Sequence, residues 1–186
     1  MGTVFHDDVL DGQVVELSGA YMVTTFSAEM EKATGQVVTN VYVASDTSAT
    51  VSCFTENDSS GIVYLGAAKS PECQGPRSVT VTPDGRHAYA ACGYSDAIAI
   101  FSREQSGFLT AIEVIKHGER NNAMQIDSLN FPLSVTTAPT GENVYVASGI
   151  SNSVTSFARD NSTGFLSLLG FRTSDGLTKA RCRHAF

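Results

Sequence analysis

Two short clusters carry the residue types that metal or acid–base chemistry needs: His117 with Glu119, and His6 followed by Asp7 and Asp8. Neighbours at i and i+2 can converge on one ion when they lie on a strand. A complete site, however, takes three or four ligands with an ordered second shell. Neither cluster reaches that count, so the expectation is no metal and no cofactor. Nucleophilic catalysis finds no better footing. The chain has no GxSxG elbow, HExxH helix, phosphate-cradling glycine loop or GxGxxG turn. The remaining polar candidates are Asp46, Tyr94, Asp96 and Asn152 in turn-forming stretches, together with Arg77. Asp and Asn favour turns because their side chains satisfy turn amides, so a structural role stands beside a ligand role at those positions. Arg77 also has two readings. A guanidinium suits oxyanion and carboxylate recognition, and it equally suits an ion pair or an aromatic stack between packed sheets.

Composition narrows the partners. Twelve Lys plus Arg against nineteen Asp plus Glu give the 186-residue chain a formal net charge of −7. No window is basic enough to track phosphates, so neither nucleic acid nor an anionic membrane is an expected partner. No run of about 18 apolar residues appears, and the amino-terminal stretch lacks the basic and apolar regions of a secretory signal. A cytoplasmic location is the expectation this supports. Cys53, Cys73, Cys92 and Cys182 show no CxxC spacing and are read as buried or free thiols. A disulfide would require an oxidising compartment, and the sequons at Asn57 and Asn161 matter only there.

What must position these residues is a repeat. A shift of 56 lays Pro76, Ser78, Val79, Thr80, Pro83, Gly85, Tyr89, Ala91, Gly93, Ser95, Phe101 and Arg103 onto Pro132, Ser134, Val135, Thr136, Pro139, Gly141, Tyr145, Ala147, Gly149, Ser151, Phe157 and Arg159. A shift of 47 adds a more worn copy, matching Tyr42, Ala44, Ser48 and Phe54 to Tyr89, Ala91, Ser95 and Phe101. Within each copy, short alternating or apolar runs are separated by Gly-, Pro- and Asp-rich turns, as in "SVTVT", "PDG", "HAYAAC", "GYSD", "AIAIF". That pattern predicts four short strands per copy. Runs apolar on successive residues predict strands buried on both faces, and small residues at Ala44, Ala91 and Ala147 let neighbouring sheets approach. The predicted fold is all-β: a β-propeller sector of three four-stranded antiparallel blades in an incomplete ring. The blades span 21–70, 76–118 and 132–172, and 173–186 is expected to start a further one.

The segments "VTVTPDGRHAYAAC", "DAIAIFSRE", "NVYVAS" and the recurring "GFL" resemble the lactonase-type, YVTN-repeat seven-bladed propellers. By that resemblance the first strand of each blade lines the central axis. The loops between blades and those between second and third strands gather on one rim. The resemblance therefore places Asp46, Arg77, Tyr94, Asp96, Asn152 and the long loop carrying His117, Glu119 and Arg120 on a ligand rim. The family commonly carries Gly-Pro-Arg-His before the first strand, where His and Arg serve lactone chemistry. Here Gly75, Pro76 and Arg77 agree, but Ser78 replaces the His, and the other copy has Leu133 and Ser134. Without an imidazole the general base is missing, and a lone Ser is not activated. The expected function is a binding or interaction scaffold taking a small molecule or protein at the rim. The alternative is a lactone hydrolase or carboxymuconate-cyclase-like enzyme, 6-phosphogluconolactonase-like. Three blades against the family's seven imply a fragment, an assembly of copies or instability alone. Two dissimilar open faces make head-to-tail self-association an expectation.

Overall fold

The computed structural model describes residues 9–10, 13–14, 16–31, 36–57, 61–176 and 178–180. A small ribbon of β1 (Val9–Leu10) and β2 (Gln13–Val14) precedes the first blade. That blade is the antiparallel sheet β3 (Ala20–Glu31), β4 (Gln36–Ser45), β5 (Thr50–Asn57) and β6 (Gly61–Ala68). The second blade is β7 (Pro76–Val81), β8 (His87–Cys92), β9 (Ala97–Arg103) and β10 (Leu109–Lys116). A ribbon of β11 (Arg120–Asn121) and β12 (Met124–Gln125) leads to the third blade, β13 (Pro132–Thr137), β14 (Asn143–Ser148), β15 (Ser153–Arg159) and β16 (Leu166–Thr173). In every blade the strands pair in chain order, and the first strand β7 of the middle blade packs against both β3 and β13. The outer edges diverge, so the blades fan out from a common axis. This is the three-bladed, incomplete propeller sector that the repeat predicts.

The repeat works because each turn is chemically specified. The turn between second and third strands needs one left-handed residue, and Ala49, Asp96 and Asn152 supply it at equivalent positions, with φ of 54°, 53° and 46°. In the second blade, Thr82 and Asp84 side chains fold the Pro-Asp-Gly turn by bonding the His87 and Arg86 amides.

Two apolar layers fill the spaces between blades. Tyr42, Ala44, Val51 and Cys53 of the first blade meet Ala88, Ala90, Ala97, Ala99 and Phe101 of the second. Tyr89, Ala91, Ile98 and Ile100 on the other side of the second blade meet Val144, Val146, Phe157 and Leu168 of the third. The long connection between the second and third blades contributes to this second layer. Ile126 and Leu129 are completely buried in it, and the Ser128 carbonyl accepts hydrogen bonds from Ser151, Ser153 and Thr155. The Glu16 carbonyl is held likewise by Ser48, Thr50 and Ser52 on the first blade.

Residues 178–180 form β17 (Thr178–Ala180), paired antiparallel along the outer edge of β16. Further along that edge, the Asn121 side chain donates to the Leu166 carbonyl and accepts from the Leu168 N–H, at 2.9 and 2.7 Å. An otherwise unpaired edge is thereby blunted. Among the described residues, no helix is long and apolar enough to cross a membrane.

Candidate functional site

Cysteine chemistry is where the structure corrects the sequence reading most directly. Cys73 and Cys92 form a disulfide with Cα atoms 5.2 Å apart, Cys53 is a buried free thiol, and Cys182 lies outside the described residues. The two half-cystines are 19 residues apart in sequence. They meet because the connection entering β7 folds back across the end of β8. Backbone bonds from Gly93 N–H to the Gly75 carbonyl (2.8 Å) and from Tyr94 N–H to the Gln74 carbonyl (3.1 Å) continue the same seam. Gly75 takes φ of +62°, and a Cβ there would meet the Tyr94 ring at 2.4 Å, so only glycine fits.

This seam holds Arg77 and Tyr94 in place, and Asp46, in the turn after β4, completes a three-residue cluster. Arg77 Nη2 donates to the Tyr94 hydroxyl at 2.9 Å and lies 3.3 Å from Asp46 Oδ2. The Tyr94 hydroxyl in turn donates to that carboxylate at 3.5 Å. Three rings surround the guanidinium: Tyr21 at 4.7 Å, and Tyr94 and Phe131 each at 5.0 Å. Such cation–ring contacts favour a guanidinium that is largely withdrawn from water. The two charged side chains are only 11% and 13% exposed, whereas Tyr21 and Tyr94 are 60% and 61% exposed. The result is a buried ion pair beneath open aromatic faces. The Arg77 Nε, also buried, has no hydrogen-bond partner among the described residues.

The other sequence candidates separate from this cluster by role. Asp96 Oδ1 accepts the Phe131 N–H at 2.7 Å, so it serves a backbone amide and thereby sets the ring that lies over Arg77. The His117 N–H donates to the Asp96 carbonyl at 2.8 Å, and its buried Nδ1 has no partner among the described residues. Glu119 accepts the Lys116 N–H at 3.1 Å, a local turn contact. Asn152 lines a shallow depression of about 470 Å³ with Ser148, Val154 and Ser174 on the third blade, and its carbonyl accepts the Ser174 N–H. His6, Asp7 and Asp8 lie outside the described residues. Among the described residues, no group of three or more His, Cys, Asp or Glu is arranged to hold a metal ion.

Sequence reasoning missed Tyr21 and Phe131. A signal for Phe131 exists: the 56-residue shift puts it where Gly75 stands, and both residues carry positive φ, 58° and 62°. An aromatic residue in a glycine's conformation marks a position held for its side chain.

Ser78, which stands where the resemblance expects a histidine, is engaged with the backbone of the next blade. Its hydroxyl is fully buried, accepts the Val135 N–H at 3.1 Å and donates to the Val135 carbonyl at 3.4 Å. It ties the first strand of one blade to that of the next.

The family model for the lactonase, 7-bladed beta-propeller matches residues 11–126. The chain belongs to that family. Among solved structures, this lactonase-family chain is similar to a putative 6-phosphogluconolactonase from Bacteroides fragilis. The identity is 22% and the TM-score 0.61, over 87% of this chain and 42% of that one. It also resembles a protein from Lactobacillus plantarum, at 25% identity and TM-score 0.64, over 87% and 46% of the two chains. A third is the Pseudomonas aeruginosa periplasmic gluconolactonase, at 17% identity and TM-score 0.60, over 88% and 46%. The chain thus spans about half or less of the length of these structures. No curated protein matches its sequence.

Proposed function

We propose that this propeller sector is a binding scaffold whose ligand site is the Asp46–Arg77–Tyr94 rim, without lactone turnover of its own. The observation that carries this reading is the condition of the two groups that hydrolysis would need. Ser78, standing where the resemblance expects a base, has its hydroxyl consumed by the Val135 backbone. Arg77 is already neutralised by Asp46. An oxyanion must therefore displace a carboxylate to reach the guanidinium, which weakens transition-state stabilisation. Exposed Tyr21 and Tyr94 faces beside a satisfied ion pair suit a small hydroxylated molecule: C–H faces stack on the rings and hydroxyls bond the Arg77–Asp46 pair. The Cys73–Cys92 bond beside the rim fits an oxidising compartment better than a cytoplasmic one.

Lactone hydrolysis is the second reading, favoured by family membership and by Arg77 at the resembling position. A pH-stat assay on a panel of small sugar lactones separates the two. The expected result is no turnover above the uncatalysed rate, together with gluconate-type polyol binding, followed by calorimetry, that Arg77→Ala abolishes. Turnover that disappears in Arg77→Ala would replace the scaffold with the enzyme.

A further inference from the structure

The sequons at Asn57 and Asn161 gain meaning from the disulfide. An asparagine with Ser or Thr two places on accepts N-linked oligosaccharide in secretory compartments, and those are the compartments in which a bond such as Cys73–Cys92 forms. Both sequons fall in the hairpin between third and fourth strands, one in the first blade and one in the third. Asn57 ends β5, and residues 58–60 lie outside the described residues. Asn161, Ser162 and Thr163 are all described, and all three are exposed.

The hairpin that carries Asn161 is firmly built. Asp160 Oδ1 accepts the Ser162 N–H, the Ser162 hydroxyl and the Thr163 N–H at 2.7, 2.6 and 3.0 Å, and the Asp160 N–H donates to the Phe165 carbonyl at 2.9 Å. Gly164 then turns the chain with φ of +80° against the His87 ring, and its carbonyl accepts the Tyr89 hydroxyl at 2.8 Å. The turn is thus anchored to the second blade. Arg159 makes the same junction by donating to Asp84 Oδ2 and His87 Nδ1, each at 2.8 Å, as Arg103 joins the second blade to the first through the Tyr42 hydroxyl and Asn40 Oδ1.

Arg159 also fixes the acceptor amide. Its Nη1 donates to Asn161 Oδ1 at 3.1 Å, while the Asn161 Nδ2 has no hydrogen-bond partner among the described residues. Glycosylation replaces one hydrogen of Nδ2 and keeps the carbonyl, so the Arg159 bond survives it. The second blade gives an internal contrast. The 56-residue shift puts exposed Gln105 where Asn161 stands, followed by Ser106 and Gly107, so the exposed turn is shared and the acceptor is not.

We propose that Asn161 is an acceptor for N-linked oligosaccharide in a compartment that oxidises Cys73 and Cys92. The donor class is an oligosaccharide carried on a polyprenyl diphosphate and presented by a membrane-bound transferase. Nδ2 attacks C1 of the first sugar, the C1–N bond forms and the C1–O bond to the diphosphate breaks. The lipid diphosphate leaves with the electron pair, and the displaced Nδ2 proton passes to a base of the transferase. The sugar also clears the candidate ligand site. Asp46 and Tyr94 lie in turns between second and third strands, whereas Asn161 follows the far end of the third strand, seven residues of β15 or about 20 Å away along the blade.

The test translates the full chain behind a cleavable secretory leader in the presence of endoplasmic-reticulum microsomes, so the readout needs no export. Protease-protected chains are digested with peptide-N-glycosidase, and mass spectrometry of the Asn161 peptide reports the sugar. Asn57→Gln should keep a glycosidase-sensitive species, and Asn57→Gln combined with Asn161→Gln should lose it completely. Thr163→Ala should abolish occupancy at Asn161, and Thr163→Ser should restore it. Transfer precedes folding, so a variant that folds poorly still reports. Protected wild-type chains without sugar at Asn161 would overturn the proposal whether or not the disulfide has formed. So would a glycosidase-sensitive species that persists in the double variant.

Discussion

β8 and β14 are two copies of one stretch of repeat, "HAYAAC" and "NVYVAS", with the same register to their neighbours, yet the molecule treats them differently. All six residues of β8 are buried. In β14 only Val144, Val146 and Ser148 are buried, while Tyr145 and Ala147 face outward. The strands do not differ in hydrophobic pattern enough to cause this. Among the described residues the second blade has a sheet on each side and the third has one, so burial here is a property of position in the stack. In propellers the same side chain is core or surface according to what lies next to it.

The comparison breaks most visibly at its tyrosines. Tyr89→Ala removes a fully buried ring from the second apolar layer together with its bond to the Gly164 carbonyl, and should cost about 3–5 kcal/mol. Tyr145→Ala, the same change one blade later, should stay within about 0.5 kcal/mol because among the described residues no sheet packs over its ring. Urea melts of both variants test the pair. Equal losses would mean that the third blade's outer face is covered after all.

A smaller effect sharpens the same contrast. Ala91 is fully buried against the third blade, so Ala91→Leu must spread two packed sheets and should cost about 1–3 kcal/mol. Ala147→Leu adds its extra carbons to an open face and should leave the denaturation midpoint within about 0.5 kcal/mol of wild type.

Position in the stack also marks what the sequence could and could not disclose. Strand number, turn positions and equivalent tyrosines were legible because each follows from local periodicity and from turn residues with fixed conformational needs. Ala49, Asp96 and Asn152 share one left-handed position, which the shifts of 47 and 56 bring into line. The Arg77 cluster was legible only in part. Asp46, Arg77 and Tyr94 are all rim candidates, but Tyr21 comes from the preceding blade and Phe131 from the following connection, contacts that no local pattern encodes. The Cys73–Cys92 bond escaped for the same reason, since it depends on how the β7 approach folds over the end of β8. The long connection hid its buried Ile126 and Leu129 because an insertion reads as surface until both neighbouring blades are in place.

The subtlest contrast lies between the two junctions. The first uses the amide of Asn40, which does not titrate, and the second uses His87 at the equivalent place. Arg159 must donate to His87 Nδ1, so the imidazole is an acceptor there and is neutral. Burial pushes the His87 pKa below its ordinary 6.5, the Arg159 and Arg86 cations push the same way, and Asp84 and Asp160 oppose them. A histidine with a depressed folded pKa contributes stability that is present above about pH 6.5 and lost as the pH falls through its folded value. Asp84 adds a separate, more acid window. Although burial opposes it, bonds from the Thr82 hydroxyl, Arg159 and the Arg86 N–H lower its pKa from 3.8 to about 2, so its contribution is lost only between those values. His87→Asn copies the first junction into the second. Thermal midpoints across a pH series should decline less between pH 7 and 5 in the variant than in the wild type. Below pH 4 the two should fall in parallel, because Asp84 is unchanged. Identical slopes above pH 5 would show that His87 is not the titrating group and that the two junctions respond alike to acid.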